Sequence, residues 1–226
     1  MKDGVVHVLD HGYVRLVDHM GSDLSIVRSA RVSHDADWRA GENEGSDRRL
    51  INYLMKNRHT SPFESVTFTF EVKAPIFVFR QWHRHRTQSY NELSARYSEL
   101  PEDFYIPSAD SIGTQSKSNK QARDTTAEQA KAEEYRDMLK EVSETNFICY
   151  RHALSQGIPR ELARCFLSVN TYSRMFATMN LHNLFHFLKL RLDSHAQYEI
   201  QVYAKAMLDL IKPIVPAAVQ AWEENQ

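Results

Sequence analysis

The sequence predicts an α+β fold in which a mainly antiparallel sheet packs against long helices, without a Rossmann topology. Strand patterns fall early in the chain and helical patterns dominate its later part, which is typical of α+β proteins. The seven glycines cannot be combined into G-x-G-x-x-G or G-x-x-x-x-G-K-[ST]. A nucleotide would therefore be bound without a dinucleotide fingerprint or a P-loop.

The strands are predicted from short-period patterns. Residues 5–9 and 13–17 are β-branched runs on either side of a short turn, and they predict a hairpin. Residues 66–73 alternate between apolar and polar side chains without a break, which indicates a strand with one buried face. A further strand is expected over 169–178.

Helices are predicted where apolar residues recur every three or four positions. The predicted helices cover 22–30, 47–57, 75–82, 127–155, 181–190 and a last segment that ends before Pro213. A buried strand is the alternative for 75–82.

Capping signals place several of these helix ends. Asp47 is predicted to cap the second helix, Pro75 to open the third, and Ser194-x-x-Gln197 to form a capping box before the last. The longest helix is expected to bury an apolar stripe made of Tyr135, Met138, Leu139, Val142, Cys149, Tyr150 and Ala153.

Length and composition indicate one domain over 1–226, with a mobile polar loop at about 108–126. The 42% of hydrophobic residues supply a core, and the formal net charge of -1 argues against a dedicated nucleic-acid or polybasic membrane protein. The longest apolar run, 74–79, has six residues, far fewer than the roughly 20 of a membrane span.

The two cysteines, Cys149 and Cys165, form neither a metal-type spacing nor a disulfide framework, and no apolar signal segment opens the sequence. We therefore expect a cytoplasmic protein without a metal site and without nucleic-acid or membrane partners.

Residues with binding and catalytic chemistry concentrate in segment 81–97, which holds three arginines, two histidines and two serines beside a single leucine. Arginine forks match phosphate and carboxylate groups, serine and asparagine can complete an anion site, and Glu92 offers an acceptor to a base or ribose edge. The segment is expected to be anchored on the core by its apolar flanks, Phe77, Phe79, Trp82 and Tyr97.

The pattern in this segment resembles the signature of the flavin-dependent thymidylate synthase family at all nine fixed positions: Arg84-His85-Arg86-x-x-Ser89-x-Asn91-Glu92-x-Ser94-x-Arg96-Tyr97. The resemblance spans about 5–211. Other segments similar to the same family are Ala30-Arg31-Val32-Ser33, His59-Thr60-Ser61-Pro62-Phe63-Glu64, Pro159-Arg160-Glu161-Leu162-Ala163-Arg164 and Leu190-Arg191-Leu192-Asp193-Ser194-His195-Ala196-Gln197-Tyr198-Glu199-Ile200.

The resemblance implies a FAD-dependent methyltransferase that converts dUMP to dTMP. It implies 5,10-methylenetetrahydrofolate as carbon donor, NADPH as reductant and FAD as hydride carrier. It also implies an obligate homo-oligomer, a homotetramer whose active sites are built from several subunits.

The resemblance further implies residue roles. Arg191 is expected to be catalytic, as a fixed cation that stabilises negative charge developing on the uracil ring. The expected dUMP ligands are Gln81, Arg84, Glu92, Ser94, Arg96, Arg164 and Arg191. The expected FAD ligands are Ser33, His59, Ser61, Glu64, Arg84, His85, Arg86, Asn91, Glu92, Asn180, His182, His186 and His195. Many relatives carry arginine where this chain has His182.

Neither cysteine is expected to act as a nucleophile. Cys165 directly follows Arg164, and neighbouring residues on a helix point about 100° apart. If Arg164 faces the nucleotide, Cys165 should therefore face elsewhere.

Two functions from other classes remain open on the residues alone. Segment 83–97 could serve a nucleic-acid-binding module that tracks phosphates and stacks bases, although the net charge of -1 counts against it. His182 and His186 have the spacing of a zinc pair in a metal hydrolase, but Asn183 stands where the HExxH motif needs glutamate. Exposed or core histidines are the simpler interpretation.

Overall fold

A five-stranded antiparallel sheet forms the centre of the fold. The structure is a computed structural model and describes residues 4–117, 120 and 122–226. Its strands are β1 (Val5–Val8), β2 (Gly12–Met20), β3 (Thr67–Pro75), β4 (Ser89–Glu92), β5 (Gly113–Gln115), β6 (Arg123–Thr126) and β7 (Tyr172–Asn180). The central sheet has the order β1-β2-β3-β7-β4, and every neighbouring pair is antiparallel. The predicted hairpin and the α+β class are confirmed.

Eight α-helices accompany the sheet among the described residues. They are α1 (Asp23–Arg31), α2 (Glu44–Lys56), α3 (Ile76–Trp82), α4 (Gln129–Ser155), α5 (Arg160–Ala163), α6 (Leu181–Arg191), α7 (Tyr198–Ile211) and α8 (Pro216–Glu224). The segment after Pro75 is a helix, so the strand alternative is wrong. Helix α8 was not among the predicted elements. None of the helices in the described part of the chain has the length and apolar character that a bilayer crossing requires.

The core connects α3 and α6 through helix α7 and one aromatic contact. Alternate β3 residues, from Phe68 to Ala74, bury one strand face completely. Helix α7 packs against β1, β2, α3 and α6, and its Tyr203 hydroxyl donates to the Lys73 carbonyl over 2.8 Å. The Trp82 ring at the end of α3 lies 4.7 Å from the Phe187 ring of α6, centroid to centroid. This contact joins the end of α3 to the middle of α6.

Asp47 does not cap α2, and this prediction is wrong. The helix begins one turn earlier, because the Asn43 side chain accepts a hydrogen bond from Ser46 N at 2.9 Å, and asparagine is among the preferred N-caps. Asp47 is instead buried, with Arg31 Nη2 2.7 Å from its Oδ1 and Gly41 N 2.8 Å from its Oδ2. It ties α1 to α2.

The capping box predicted at Ser194-x-x-Gln197 is also wrong. Gln197 is the N-cap of α7 and makes no side-chain capping bond. The turn before α7 is held instead by Gln201, whose Nε2 donates to the carbonyl groups of Asp193 and Ala196 at 3.0 and 2.6 Å.

The buried face of α4 differs from the predicted stripe. Tyr135, Met138 and Val142 are 43%, 57% and 50% exposed. The face turned to the protein carries Ala132, Ser143, Phe147, Tyr150 and Ala153, and the small residues in this set allow close packing. An apolar strip on α4 is thus left open to the outside of the chain.

The loop predicted over 108–126 contains more regular structure than expected. Its described part holds a 3₁₀ turn at Ala109–Ser111 and the antiparallel pair β5–β6. Residues 118, 119 and 121 of the predicted loop lie outside the described residues.

Candidate active site

The charged segment 81–97 includes β4, which lies at one edge of the sheet. Strand β4 pairs with β7 in the register Ser89 to Thr178. The turn before β4 is held by Tyr90, whose hydroxyl donates to the His85 carbonyl at 2.6 Å, and by Trp82, whose Nε1 donates to Gln88 Oε1 at 3.1 Å. Burial raises the pKa of Tyr90 to about 12, so this donor stays protonated.

The apolar flanks anchor this segment only on its N-terminal side. Phe79 and Trp82 are fully buried, whereas Tyr97 is 79% exposed. The prediction that Tyr97 packs on the core is therefore wrong: Tyr97 lies in an exposed turn after β4, in which its N–H donates to the Ser94 carbonyl at 3.0 Å.

Three predicted dUMP ligands line one cavity of about 510 Å³, which we call the Arg164 cavity. Glu92 and Ser94 reach it from the end of β4, and Arg164 reaches it from the 3₁₀ turn after α5. The complete lining is Ile76, Phe79, Arg80, His83, Glu92, Leu93, Ser94, Ala95, Leu100, Arg164, Cys165, Leu167 and Ser173. Two guanidinium groups beside apolar walls suit an anion that carries a planar ring.

Gln81 and Arg191 meet each other on a different face of α3. Arg191 Nη2 donates to the Gln81 carbonyl at 3.3 Å, and Arg191 Nε donates to His85 Nε2 at 2.8 Å. The Gln81 side chain donates from Nε2 to Gln197 Oε1. Five of the seven predicted dUMP ligands therefore form two groups in one chain, and the other two, Arg84 and Arg96, are exposed outside both.

His85 is a neutral imidazole held beside a cation. It is 6% exposed, and burial lowers its pKa to about 4, with further lowering by the charges of Arg191 and His186. Burial also lowers the pKa of Arg191, but the ordinary pKa of a guanidinium is so high that the group keeps its charge at neutral pH.

Five of the thirteen predicted FAD ligands line two adjoining cavities. Ser33, His59 and Ser61 line one of about 800 Å³, and His182 and His186 line another of about 590 Å³. Leu54 lines both, so the two are neighbours. The second cavity also presents Arg58, Thr60 and Lys189, which adds positive charge.

The orientation of His182 and His186 follows from the N-cap of α6. The Asn180 side chain accepts a hydrogen bond from Asn183 N at 2.9 Å, which fixes the first turn and places the two histidines one turn apart. Within the described residues, no group of three or more His, Cys, Asp or Glu is arranged to hold a metal ion.

The remaining predicted ligands are exposed. They are Glu64, Arg84, Arg86, Asn91 and Arg96. Arg96 Nε lies 3.6 Å from Glu161 Oε2. His195 lines a separate cavity of about 460 Å³ together with Arg123 and Gln197, and its Nδ1 lies 2.8 Å from Asp193 Oδ1.

Three residues of the Arg164 cavity were missed or misplaced by the sequence prediction. Arg80 and His83 were not identified, although their spacing from Ile76 puts them on one face of α3. Cys165 was expected to face away from Arg164, but both line the cavity and Cys165 is exposed. The segment Arg164–Phe166 is a 3₁₀ turn at the cavity rim rather than an α-helix packed on one side, so adjacent side chains both reach the opening.

Comparison with known proteins gives a consistent result. Residues 15–217 match the family model described as "Thymidylate synthase complementing protein". A flavin-dependent thymidylate synthase of Ehrlichia ruminantium (strain Gardel) is 48% identical over 217 residues, which cover 96% of this chain and 72% of that protein. One from Thermus thermophilus is 49% identical over 220 residues, covering 97% of this chain and 78% of the relative.

A solved structure shares the fold. The crystal structure of the UMP/dUMP methylase PolB from Streptomyces cacaoi, bound with 5-Br dUMP, superposes with a TM-score of 0.86 at 37% sequence identity and covers 97% of each chain.

Proposed function

The chain belongs to the flavin-dependent thymidylate synthase family, and on that premise we propose that the cavities described above are its substrate and cofactor subsites. The chain is a FAD-dependent methyltransferase that converts dUMP to dTMP, with methylenetetrahydrofolate and NADPH as cosubstrates. The assignment of individual residues is our own.

The observation that carries the dUMP assignment is the composition of the Arg164 cavity. Arg164 and Arg80 can bind a phosphate dianion by charge-assisted hydrogen bonds, and Ser94 adds a hydroxyl. The Glu92 carboxylate can accept a hydrogen bond from a ribose O–H or from the uracil N–H. The about 510 Å³ of space lies in the range of small-molecule sites.

Arg191 acts on the uracil ring in this proposal. A fixed guanidinium stabilises negative charge as the ring becomes nucleophilic. Its two acceptors, His85 Nε2 and the Gln81 carbonyl, are both uncharged, so the positive charge is not cancelled.

FAD occupies the two adjoining cavities in this proposal. The donor set fits a pyrophosphate, because Arg58, Lys189, His182 and His186 offer N–H groups there without any glycine-rich turn. Ser33, His59 and Ser61 supply polar contacts in the neighbouring cavity. Bound FAD supplies the hydride that completes the methyl group. Glu64, Arg84, His85, Arg86, Asn91, Glu92, Asn180 and His195 complete the proposed set.

We propose a homotetramer that joins the separate groups into shared sites. The support is twofold: Gln81 and Arg191 are separated from the Arg164 cavity within one chain, and Tyr135, Met138 and Val142 leave an apolar strip exposed on α4. Contiguous exposed apolar surface usually marks an interface. We place this enzyme in the cytoplasm, as a single functional domain without nucleic-acid or membrane partners.

The test measures dUMP binding to the FAD-loaded Arg164→Ala variant, with the change in flavin absorbance as the signal. We expect the variant to load FAD and to bind dUMP at least tenfold more weakly, because a hydrogen bond between charged groups is lost. Arg48→Ala is the matched control, since Arg48 forms an exposed salt bridge with Glu44 on α2. Normal dUMP affinity in Arg164→Ala would refute the assignment of the cavity.

A further inference from the structure

We propose that His85 is a positioning residue that holds the guanidinium of Arg191 through a neutral imidazole; this inference rests on the role proposed above for Arg191. The hydrogen bond runs from Arg191 Nε to His85 Nε2 over 2.8 Å. It links the last residue of α6 to the turn that follows α3. The resemblance by itself assigns His85 to FAD only.

The hydrogen bond is informative because Arg191 lacks a carboxylate partner among the described residues. Among the described residues, the ion pairs within 4.0 Å do not include Arg191. A carboxylate would orient the guanidinium but would also neutralise it. A neutral imidazole orients it and leaves the full charge for the uracil. Arginine has a long side chain with much rotamer freedom, so its direction depends on such acceptors.

The His85 ring is itself held tightly. Its face and edges pack near Phe187 and His186, with ring centroids 4.8 and 6.1 Å away. The backbone is fixed on both sides, because His85 N donates to the Trp82 carbonyl at 2.9 Å and the His85 carbonyl accepts from Tyr90. Because the imidazole acceptor is rigid, it fixes the position of the Arg191 guanidinium.

The protonation state agrees with this role. Burial, Arg191 and His186 together lower the pKa of His85 to about 4, so the ring is neutral near pH 7. Accepting at Nε2 then requires that the ring proton lies on Nδ1. Nδ1–H is the only donor that remains on this side chain for a flavin.

The two ring nitrogens can be tested separately. In His85→Gln the amide oxygen can reach the place of Nε2 and accept from Arg191. In His85→Asn the shorter amide stands near Nδ1 and cannot reach Arg191. A positioning role therefore predicts that glutamine rescues and asparagine does not, whereas a role at FAD alone predicts the reverse.

The measurement is dUMP affinity on FAD-loaded protein, with FAD affinity and the thermal midpoint recorded for each variant. We expect His85→Gln to bind dUMP within about threefold of wild type and His85→Asn to bind it about tenfold more weakly. In an Arg191→Ala background both substitutions should leave dUMP affinity unchanged, because His85 then has no partner to position.

Several results would overturn the proposal. These are an equal loss of dUMP affinity in the two variants, a larger loss in His85→Gln than in His85→Asn, or the same loss from His85→Asn with and without Arg191. If His85→Asn does not load FAD, then His85→Met, which has the length of glutamine but only a weak acceptor, takes its place in the comparison. A normal dUMP affinity and turnover in Arg191→Ala alone would refute the role of Arg191, and with it this inference. Failure of the wild type to form dTMP would refute the proposed function itself.

Discussion

The Arg191 guanidinium and the His85 imidazole are joined by a 2.8 Å hydrogen bond in which arginine donates and histidine accepts. Because an imidazolium has no free lone pair, this contact exists only while His85 is neutral. The folded state thus favours neutral His85, and the consequence can be measured as a dependence of stability on pH.

The first prediction concerns this pH dependence. The pKa of His85 is about 4 in the folded state and about 6.5 in an unfolded chain. Between these values the unfolded state binds the proton first, so acidification favours unfolding. The stabilisation is fully present above about pH 6.5 and is lost as the pH falls to about 4; its size is on the order of 3 kcal/mol.

The measurement compares urea unfolding of wild type and His85→Gln from pH 4 to pH 7. The free energy of unfolding of the wild type should fall relative to that of the variant over this window, since glutamine does not titrate. Parallel curves for the two proteins would mean that His85 is not held neutral.

The second prediction concerns the buried ion pair between α1 and α2. Arg31 Nη2 lies 2.7 Å from Asp47 Oδ1, and the two side chains are only 17% and 7% exposed. Asp47→Ala should lower the free energy of unfolding by about 3 kcal/mol, because the largely buried Arg31 guanidinium loses its counter-charge. Glu44→Ala, which breaks the exposed Arg48–Glu44 pair on the same helix, should cost less than about 1 kcal/mol. Equal effects in chemical denaturation would contradict the structural role of Asp47.

The third prediction concerns assembly. Met138 is 57% exposed on the apolar strip of α4, so a charge there is tolerated in the folded chain but costly in an interface. Met138→Glu should shift light-scattering mass toward smaller species and reduce dTMP formation. Lys131→Glu, near the exposed start of the same helix, is the control. An unchanged mass for Met138→Glu would remove this strip from the proposed interface.

The fourth prediction concerns Cys165, which lines the Arg164 cavity and is exposed, whereas Cys149 is partly buried. An alkylating reagent should label Cys165 faster than Cys149, and dUMP should slow the labelling of Cys165. Cys165→Ala should nevertheless form dTMP within a few-fold of wild type, because the carbon and the electrons both come from cosubstrates. Loss of turnover in folded, FAD-loaded Cys165→Ala would instead indicate a role for the thiol.

Most of the fold could be predicted from local patterns. Strand β3 was predictable because one face is completely buried, which forces strict alternation. Helix ends were less predictable, because a polar residue such as Asp47 suits either a cap or a buried ion pair and only tertiary contacts decide. The start of α8 at Pro216 carries a recognisable signal, a proline in the first turn of a helix.

The site was predictable in its residues but not in its arrangement. The resemblance identified Glu92 and Ser94 in the motif and Arg164 in a separate segment, and these three do line one cavity. The contact between His85 and Arg191 joins residues 106 positions apart, and no sequence spacing reports such a contact. The division of the predicted ligands into separate groups is likewise a property of packing.

The most direct test of the account is the fate of the folate during turnover. The transferred carbon of methylenetetrahydrofolate needs two further electrons to become a methyl group, and in this account NADPH supplies them through FAD. FAD-loaded protein with dUMP, methylenetetrahydrofolate and NADPH should therefore form dTMP and tetrahydrofolate in equal amounts by mass spectrometry, and omission of NADPH should stop sustained turnover. Formation of dihydrofolate in step with dTMP, or sustained dTMP synthesis without NADPH, would contradict it.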